Sequence, residues 1–350
     1  MTSSRELICT LCIVWCVAAC ESNEGGGPHT CQPDASNAEA GWITIQPGSF
    51  TFGSPVEGTP CRGKITETEV EVRLTRAFVM ASTEVTQRQW EALCLQNPTP
   101  KNQRGPDYPI TTVNWWEALA YCNALSAAAG LESCYNLAGC TGTIGLGCPD
   151  SWSESCHTPQ PPEPASCPTD GGHCVEDGFV CRDRESVRKY PNVYECPGYR
   201  LPTVAEWEYA AKAGTSTHTY VGNITTDDNG CVFDQAVEPI AWYCNNADHA
   251  MPVAQKPPNP WGLYDMLGNT REWLDFVYTG LSLESNEGKT GPLTDPIGIP
   301  LGRFNGERRG LHGGSWTRKA CRVKASNHTG PLPYYRNYDY GLRPVRTIQK

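Results

Sequence analysis

Nineteen cysteines are the residues of this 350-residue chain with most capacity for chemistry. Thiols can hold a metal, carry a redox reaction or cross-link a fold. Zinc-type spacing is missing: there is no paired C-x2-C set and no H-x3-H. The seven histidines, at 29, 157, 173, 218, 249, 312 and 328, are scattered without ligand spacing. Disulfides remain as the explanation for so many cysteines, and with them an oxidising compartment. Eight of the cysteines (134, 140, 148, 156, 167, 174, 181 and 196) fall in one Pro-rich stretch with little apolar periodicity. Such a stretch buries too little core to offset its ordering entropy, so cross-links must define it. It reads as an insertion spanning 134–196. A Cys134–Cys196 bridge is expected at its neck, because an insertion leaves and re-enters a fold at neighbouring points. Cys122, in the middle of a helix, and Cys321 are the candidates for unpaired thiols.

The N-terminus supports export. Arg5 precedes an apolar stretch from Leu7 to Ala19, interrupted only by Thr10. That is too short for a spanning helix and suits a signal peptide over 1–19. The stretch ends Val17-Ala18-Ala19-Cys20, similar to the bacterial lipoprotein signature in which the cysteine is lipidated. Ordinary cleavage after an A-x-A-like site is the alternative. The polar run Glu21-Ser22-Asn23-Glu24-Gly25-Gly26-Gly27 opens a flexible tether over 20–40. The expected location is therefore extracytoplasmic, with a membrane contact through a lipid on Cys20. A net charge of -10 leaves no basic footprint for nucleic acid.

The ordered part, 41–350, must position whatever chemistry survives. Gly and Pro number 34 and 29, a loop-rich composition that disfavours a regular sheet or long helices. Ile43 and Ile45, then Phe50 and Phe52, alternate with polar residues on either side of Pro47-Gly48, a hairpin pattern. Val70, Val72 and Leu74 mark a third strand. Thr86 caps a short helix over 87–95, and Asn114 opens another over 116–129, closed by Gly130. Its expected buried face is Trp116, Leu119, Ala120, Asn123 and Ala124. Thr203 and Glu206 form a capping box for a third helix.

Five stretches then occur in a fixed order. They are Pro47-Gly48-Ser49-Phe50-Thr51-Phe52-Gly53, Glu84-Val85-Thr86, Arg200-Leu201-Pro202-Thr203 with Glu206-Trp207-Glu208, Gly262-Leu263-Tyr264-Asp265-Met266 to Glu272-Trp273, and Gly313-Gly314-Ser315-Trp316. Together they resemble the formylglycine-generating, sulfatase-modifying factor family, from Gly41 to about Val345. The resemblance implies an irregular, loop-rich α+β fold related to C-type lectins. It also implies, for catalytic members, oxidation of a sulfatase cysteine with oxygen and copper. Those members carry two cysteines five positions apart just after the GGS-aromatic motif. Here that region reads Ser315-Trp316-Thr317-Arg318-Lys319-Ala320-Cys321-Arg322, with one cysteine and two cations. Copper(I) favours thiolate ligands, so copper is not expected.

The resemblance further implies a calcium site, with side-chain oxygens from Asp265 and Glu272 and backbone carbonyls from Gly268 and Thr270. Hard oxygen donors suit that ion. The alternative is a plain turn in which Asp265 caps an amide and Glu272 meets an arginine. Arg343 is expected to be a buried cation paired with a carboxylate such as Glu206. The tryptophans at 115, 116, 207, 261, 273 and 316 are expected mainly in the core. The functional expectation is a binding or accessory module whose groove is lined by Ser315, Trp316, His312 and Arg318, with Cys321 nearby, taking a protein, peptide or small-molecule ligand. The alternative is a formylglycine-generating oxidase with another metal arrangement, for which family likeness is the whole warrant.

Overall fold

Three capping boxes start the three α-helices found among the described residues. Thr86 and Gln89 cap α1 (Gln87–Ala92), Asn114 and Glu117 cap α2 (Trp115–Ala128), and Thr203 and Glu206 cap α3 (Val204–Lys212). In each, the cap side chain accepts the third residue's amide and that residue's side chain accepts the cap amide in return. These assignments come from a computed structural model that describes residues 33, 41–54, 60–61, 69–146, 178–181, 187–227, 230–278, 292–297 and 308–349. The signal segment, Cys20 and nearly all of the tether lie outside the described residues.

The strands, numbered in chain order, are short and split among small sheets. β1 (Trp42–Ile45), β4 (Phe78–Ala81) and β12 (Val345–Thr347) form one, in the order β1-β4-β12. β2 (Gly48–Phe52), β3 (Val70–Leu74) and β8 (Leu293–Thr294) form a second. β10 (His328–Thr329), β9 (Arg309–His312), β7 (Arg271–Val277) and β11 (Tyr340–Leu342) form a four-stranded third, with β11 parallel to β7. β5 (Cys140–Thr141) and β6 (Val180–Cys181) pair inside the insertion.

The expected hairpin at Pro47-Gly48 does not form. β1 pairs with β4, Ile45 opposite Phe78, whereas β2 pairs with β3, Phe50 opposite Val72. The chain changes sheet at this point because α3 occupies the turn. A Cβ on Gly48 would lie 2.1 Å from the Tyr209 hydroxyl, which itself donates to the Gln46 carbonyl at 3.3 Å. α2 also departs from expectation. Trp115, Ala118, Tyr121, Cys122, Leu125 and Ser126 are buried along with Trp116, Leu119 and Ala120, while Asn123 and Ala124 are half-buried. The helix is covered on most sides, as a core helix of a loop-rich fold must be.

β7 is the centre of the molecule: all seven of its residues are buried. Leu274 and Phe276 join the apolar cluster around α3, and Trp273 and Val277 join the cluster around α2. Period-two alternation thus feeds two cores from one strand. Its three charged residues each find a buried partner: Arg271 pairs with Asp339, Glu272 with Arg343 and Asp275 with Arg188. Leaving any of these charges unpaired at such depth would cost several kcal/mol, on the order of 3–5.

The disulfides staple the loops. Cys134 and Cys196 are bonded, Cα atoms 5.5 Å apart, at the neck of the insertion, and Cys140 with Cys181 closes it further in. Cys231 is bonded to Cys244 and Cys61 to Cys321. The expectation of a free Cys321 is therefore corrected: it is held from 260 residues away. Cys122 is a free, buried thiol. Among the described residues no helix is long and apolar enough to cross a membrane.

Candidate functional site

The Gly313-Gly314-Ser315-Trp316 turn follows β9 and lies against the turn that precedes β7. Both glycines have positive φ, +99° and +72°. A Cβ on Gly314 would meet the Arg322 carbonyl at 2.9 Å, and one on Gly313 would meet Trp207 at 3.3 Å. The Gly268 amide donates to the Gly313 carbonyl at 2.8 Å, and the Trp316 amide to the Asn269 carbonyl at 3.0 Å. The Arg318 carbonyl accepts from the Cys244 amide at 3.1 Å. The loop is thus fixed at both ends by backbone bonds.

Asp339 is the hub beneath it. This buried carboxylate accepts from Ser315 Oγ at 2.6 Å, from Thr317 Oγ1 at 2.9 Å and from the Arg271 guanidinium through both oxygens. Ser315 is consequently buried and committed. Trp316 is half-buried and lies 5.1 Å from the half-buried Tyr338 ring. Arg318 is exposed and makes no ion pair among the described residues. Partial desolvation where its side chain leaves the loop, and the like charge of Arg271, pull its pKa down, opposed by Asp339.

His312 does not line this surface. It is fully buried in β9, opposite His328 of β10, with their rings stacked 5.1 Å apart and Trp207 at 4.6 Å. Strand alternation turns it into the core, so its nearness in sequence to Gly313 misleads. Among the described residues neither of its ring nitrogens has a hydrogen bond of good geometry, though the Ala325 backbone lies close by. Burial first, then the neighbouring His328, hold its pKa well below the usual histidine value. Cys321 is buried and oxidised with Cys61.

A second focus lies behind the loop. Glu272 is gripped by Arg343 through Nε at 2.9 Å and Nη2 at 2.8 Å, and it also accepts from Trp207 Nε1 at 2.6 Å. Arg343 completes its bonds with the Ala81 and Tyr264 carbonyls. The expected Arg343–Glu206 pair is corrected: Glu206 is held by Arg200 through both oxygens at 2.7 Å. Parallel pairing of β11 with β7 sets Leu342 beside Trp273, which delivers Arg343 to Glu272 instead. Glu84, buried, accepts from Asn269 Nδ2 at 2.7 Å and from Thr270 N and Oγ1 at 2.8 and 2.7 Å. Asp265 has φ +51° and accepts the Ala254 amide on Oδ2 at 2.7 Å, while its buried Oδ1 has no hydrogen-bond partner among the described residues. Burial raises the pKa of both carboxyls, Asp265 to about 6; the charges of Asp265 and Glu272 push Glu84 further up, and that of Glu272 adds to the rise of Asp265. Negative charge is in excess here. Among the described residues, however, no three His, Cys, Asp or Glu side chains are grouped closely enough to hold a metal by themselves.

Glu84, Arg271 and Asp339 organise the site and were not expected to. Glu84 sat in a motif that reads as a fold marker, and nothing in Tyr338-Asp339-Tyr340 signals a buried acid.

Together the two knitted glycine turns, the buried arginine–carboxylate pairs and the staples define an irregular α+β domain of the formylglycine-generating type. The chain belongs to that family: residues 28–348 match the model described as "Sulfatase-modifying factor enzyme 1-like domain". It is 31% identical over 206 residues to "Chaperone protein LppX" of Paenibacillus barcinonensis, covering 56% of this chain and 61% of that protein. It is 40% identical over 80 residues to "Formylglycine-generating enzyme" of Mycobacterium tuberculosis, covering 22% and 26%. It is 36% identical over 83 residues to "Inactive C-alpha-formylglycine-generating enzyme 2" of Mus musculus, covering 23% and 27%. The chain spans less than two thirds of the length of each of these relatives. Among solved structures, Treponema denticola variable protein 1 superposes with a TM-score of 0.56 at 26% identity, over 88% of this chain and 95% of that one. PvdO from Pseudomonas aeruginosa gives 0.57 at 17% identity, over 88% and 94%, a likeness of fold alone.

Proposed function

We propose that this chain is an extracytoplasmic binding or accessory module, held to a membrane by a lipid on Cys20, that uses the Trp316–Arg318 surface to hold a ligand. The observation that carries the reading is the Cys61–Cys321 disulfide. The single cysteine after the GGSW turn is buried and bonded away from it, so no thiol pair is available there to hold copper(I). Arg318 and Lys319 bring cations to the same stretch. The name of the Paenibacillus relative, a chaperone protein, belongs to the same functional class. Likeness to formylglycine-generating enzymes does not decide the matter, because a relative named inactive is about as similar as one named active. The test is copper titration followed by mass spectrometry on a peptide carrying a sulfatase-type cysteine motif. No conversion is expected; conversion at a useful rate would replace this reading with the oxidase.

The module would also carry a structural calcium ion. The unpartnered Asp265 Oδ1 and the surplus of buried carboxylate suit a hard cation. Asp265 and Glu272 would supply side-chain oxygens, Glu272 while shared with Arg343, and Gly268 and Thr270 would supply backbone carbonyls.

A further inference from the structure

We infer that the ligand of this surface is an acidic peptide segment, whose carboxylate is taken by Arg318 while an adjacent aromatic or apolar side chain packs on the Trp316–Tyr338 pair. This deepens the binding reading above and rests on it. The argument starts from what is already spent. Ser315, Thr317 and Arg271 are all bonded to Asp339, which leaves them and the carboxylate committed to one another. The Arg318 guanidinium, by contrast, is exposed and without an ion pair among the described residues. Its backbone is fixed from both sides, by its own amide donating to Ser315 O at 2.9 Å and by Cys244 N donating to its carbonyl at 3.1 Å. With the backbone fixed, the entropy lost on binding is confined to the side chain itself.

The charge balance points the same way. Arg271 and Asp339 neutralise each other, so Arg318 is a local surplus on a chain whose net charge is -10. Guanidinium matches the two oxygens of a carboxylate in one plane. The half-buried rings of Trp316 and Tyr338, 5.1 Å apart and tilted by 37°, offer an apolar step beside it. A saccharide fits less well. Its many hydroxyls need an array of side-chain partners, and the serine, threonine and aspartate closest to these rings are mutually satisfied. Beyond the one donor left on the Trp316 indole N–H, hydroxyls buried there would go unpaired. One carboxylate and one flat or apolar side chain use what the surface has.

The test is fluorescence anisotropy on the full chain with two labelled heptapeptides, Gly-Gly-Asp-Trp-Glu-Gly-Gly and its uncharged counterpart Gly-Gly-Asn-Trp-Gln-Gly-Gly. The acidic peptide should bind about 10-fold more tightly at low salt, as expected for a charge-assisted hydrogen bond. Arg318→Gln should remove that preference, Arg318→Lys should keep part of it, and Trp316→Ala should weaken both peptides together. Near-ultraviolet circular dichroism checks that each variant is folded. Equal affinity for the two peptides, or an acidic preference that survives Arg318→Gln, would overturn the inference while leaving a binding surface in place. Binding of an oligouronate but of neither peptide would overturn it in favour of a saccharide. Binding of none of the three would overturn it together with the reading of this surface as a ligand site.

Discussion

Replacing His312 by phenylalanine should flatten the acid limb of the stability profile. The imidazole is buried between Trp207 and His328, with no well-made hydrogen bond to either nitrogen. Burial, the facing His328 and the cationic Lys212 keep it neutral far below the usual histidine range. In the unfolded chain the same group titrates near ~6.5. The unfolded state therefore binds a proton that the fold refuses. Stability falls once the pH drops below about 6.5, and continues to fall until the depressed folded pKa is reached. The slope is about 1.4 kcal/mol per pH unit, so the loss between about pH 7.5 and 5 is roughly 2 kcal/mol. Glu84 and Glu117 act with the opposite sign. Burial raises both carboxyls, so their contribution is present in acid and is lost as the pH rises through their folded pKa. They are common to both proteins and cancel in the comparison. Guanidinium unfolding at the two pH values, followed by tryptophan fluorescence with the disulfides intact, gives the difference. Wild type should lose about 2 kcal/mol more than His312→Phe over this range. Identical losses would refute the assignment of the acid limb to this ring.

Three other outcomes are expected. Chelator should lower the melting temperature in differential scanning fluorimetry, because an ion that binds only the fold stabilises it by mass action, and Asp265→Ala should abolish the response; equal curves with and without chelator would count against calcium. Removing the neck bridge by the double change Cys134→Ala and Cys196→Ala should cost roughly 4 kcal/mol by loop entropy across a separation of 62 residues, measured as a shift in denaturant midpoint. Cys20→Ala should move the protein from the detergent-extracted membrane fraction to the soluble one, read by immunoblot; a wild-type protein already soluble after lysis would end the case for an anchor.

Local signals proved the more legible. Thr86, Asn114 and Thr203 announce their helices because a cap is a bond between residues three apart. The glycines of the GGSW turn meet their positive φ within the motif, although the atoms that crowd them, from Met266, Trp207, Arg322 and Val323, lie outside it. What failed was partner choice at long range. Alternation around Pro47-Gly48 gives two strands correctly but says nothing about which sheet each joins, and Tyr209 decided that from α3. Arg343 was recognisable as a buried cation, yet its carboxylate was fixed by a parallel register between β11 and β7 that no spacing encodes. His312 shows the same limit: one residue before a loop glycine, it still belongs to the inward face of a strand. Asp339, the hub of the candidate site, left no trace because its partners are spread from Arg271 to Thr317.

The placement of β12 has a consequence for how the molecule is made. This strand, Val345–Thr347, hydrogen-bonds to β4, which in turn pairs with β1 at Trp42–Ile45. Nearby, Asp339 and Arg343 neutralise two of the three charges buried in β7. A ribosome or export channel releases the N-terminal strands long before these last residues appear. Until then β4 has one unpaired edge, and Arg271 and Glu272 lack the counter-ions that the fold gives them. Such long-separation pairings slow folding and leave strand edges open to other chains. The step that locks the domain therefore waits for the residues from Asp339 through β12.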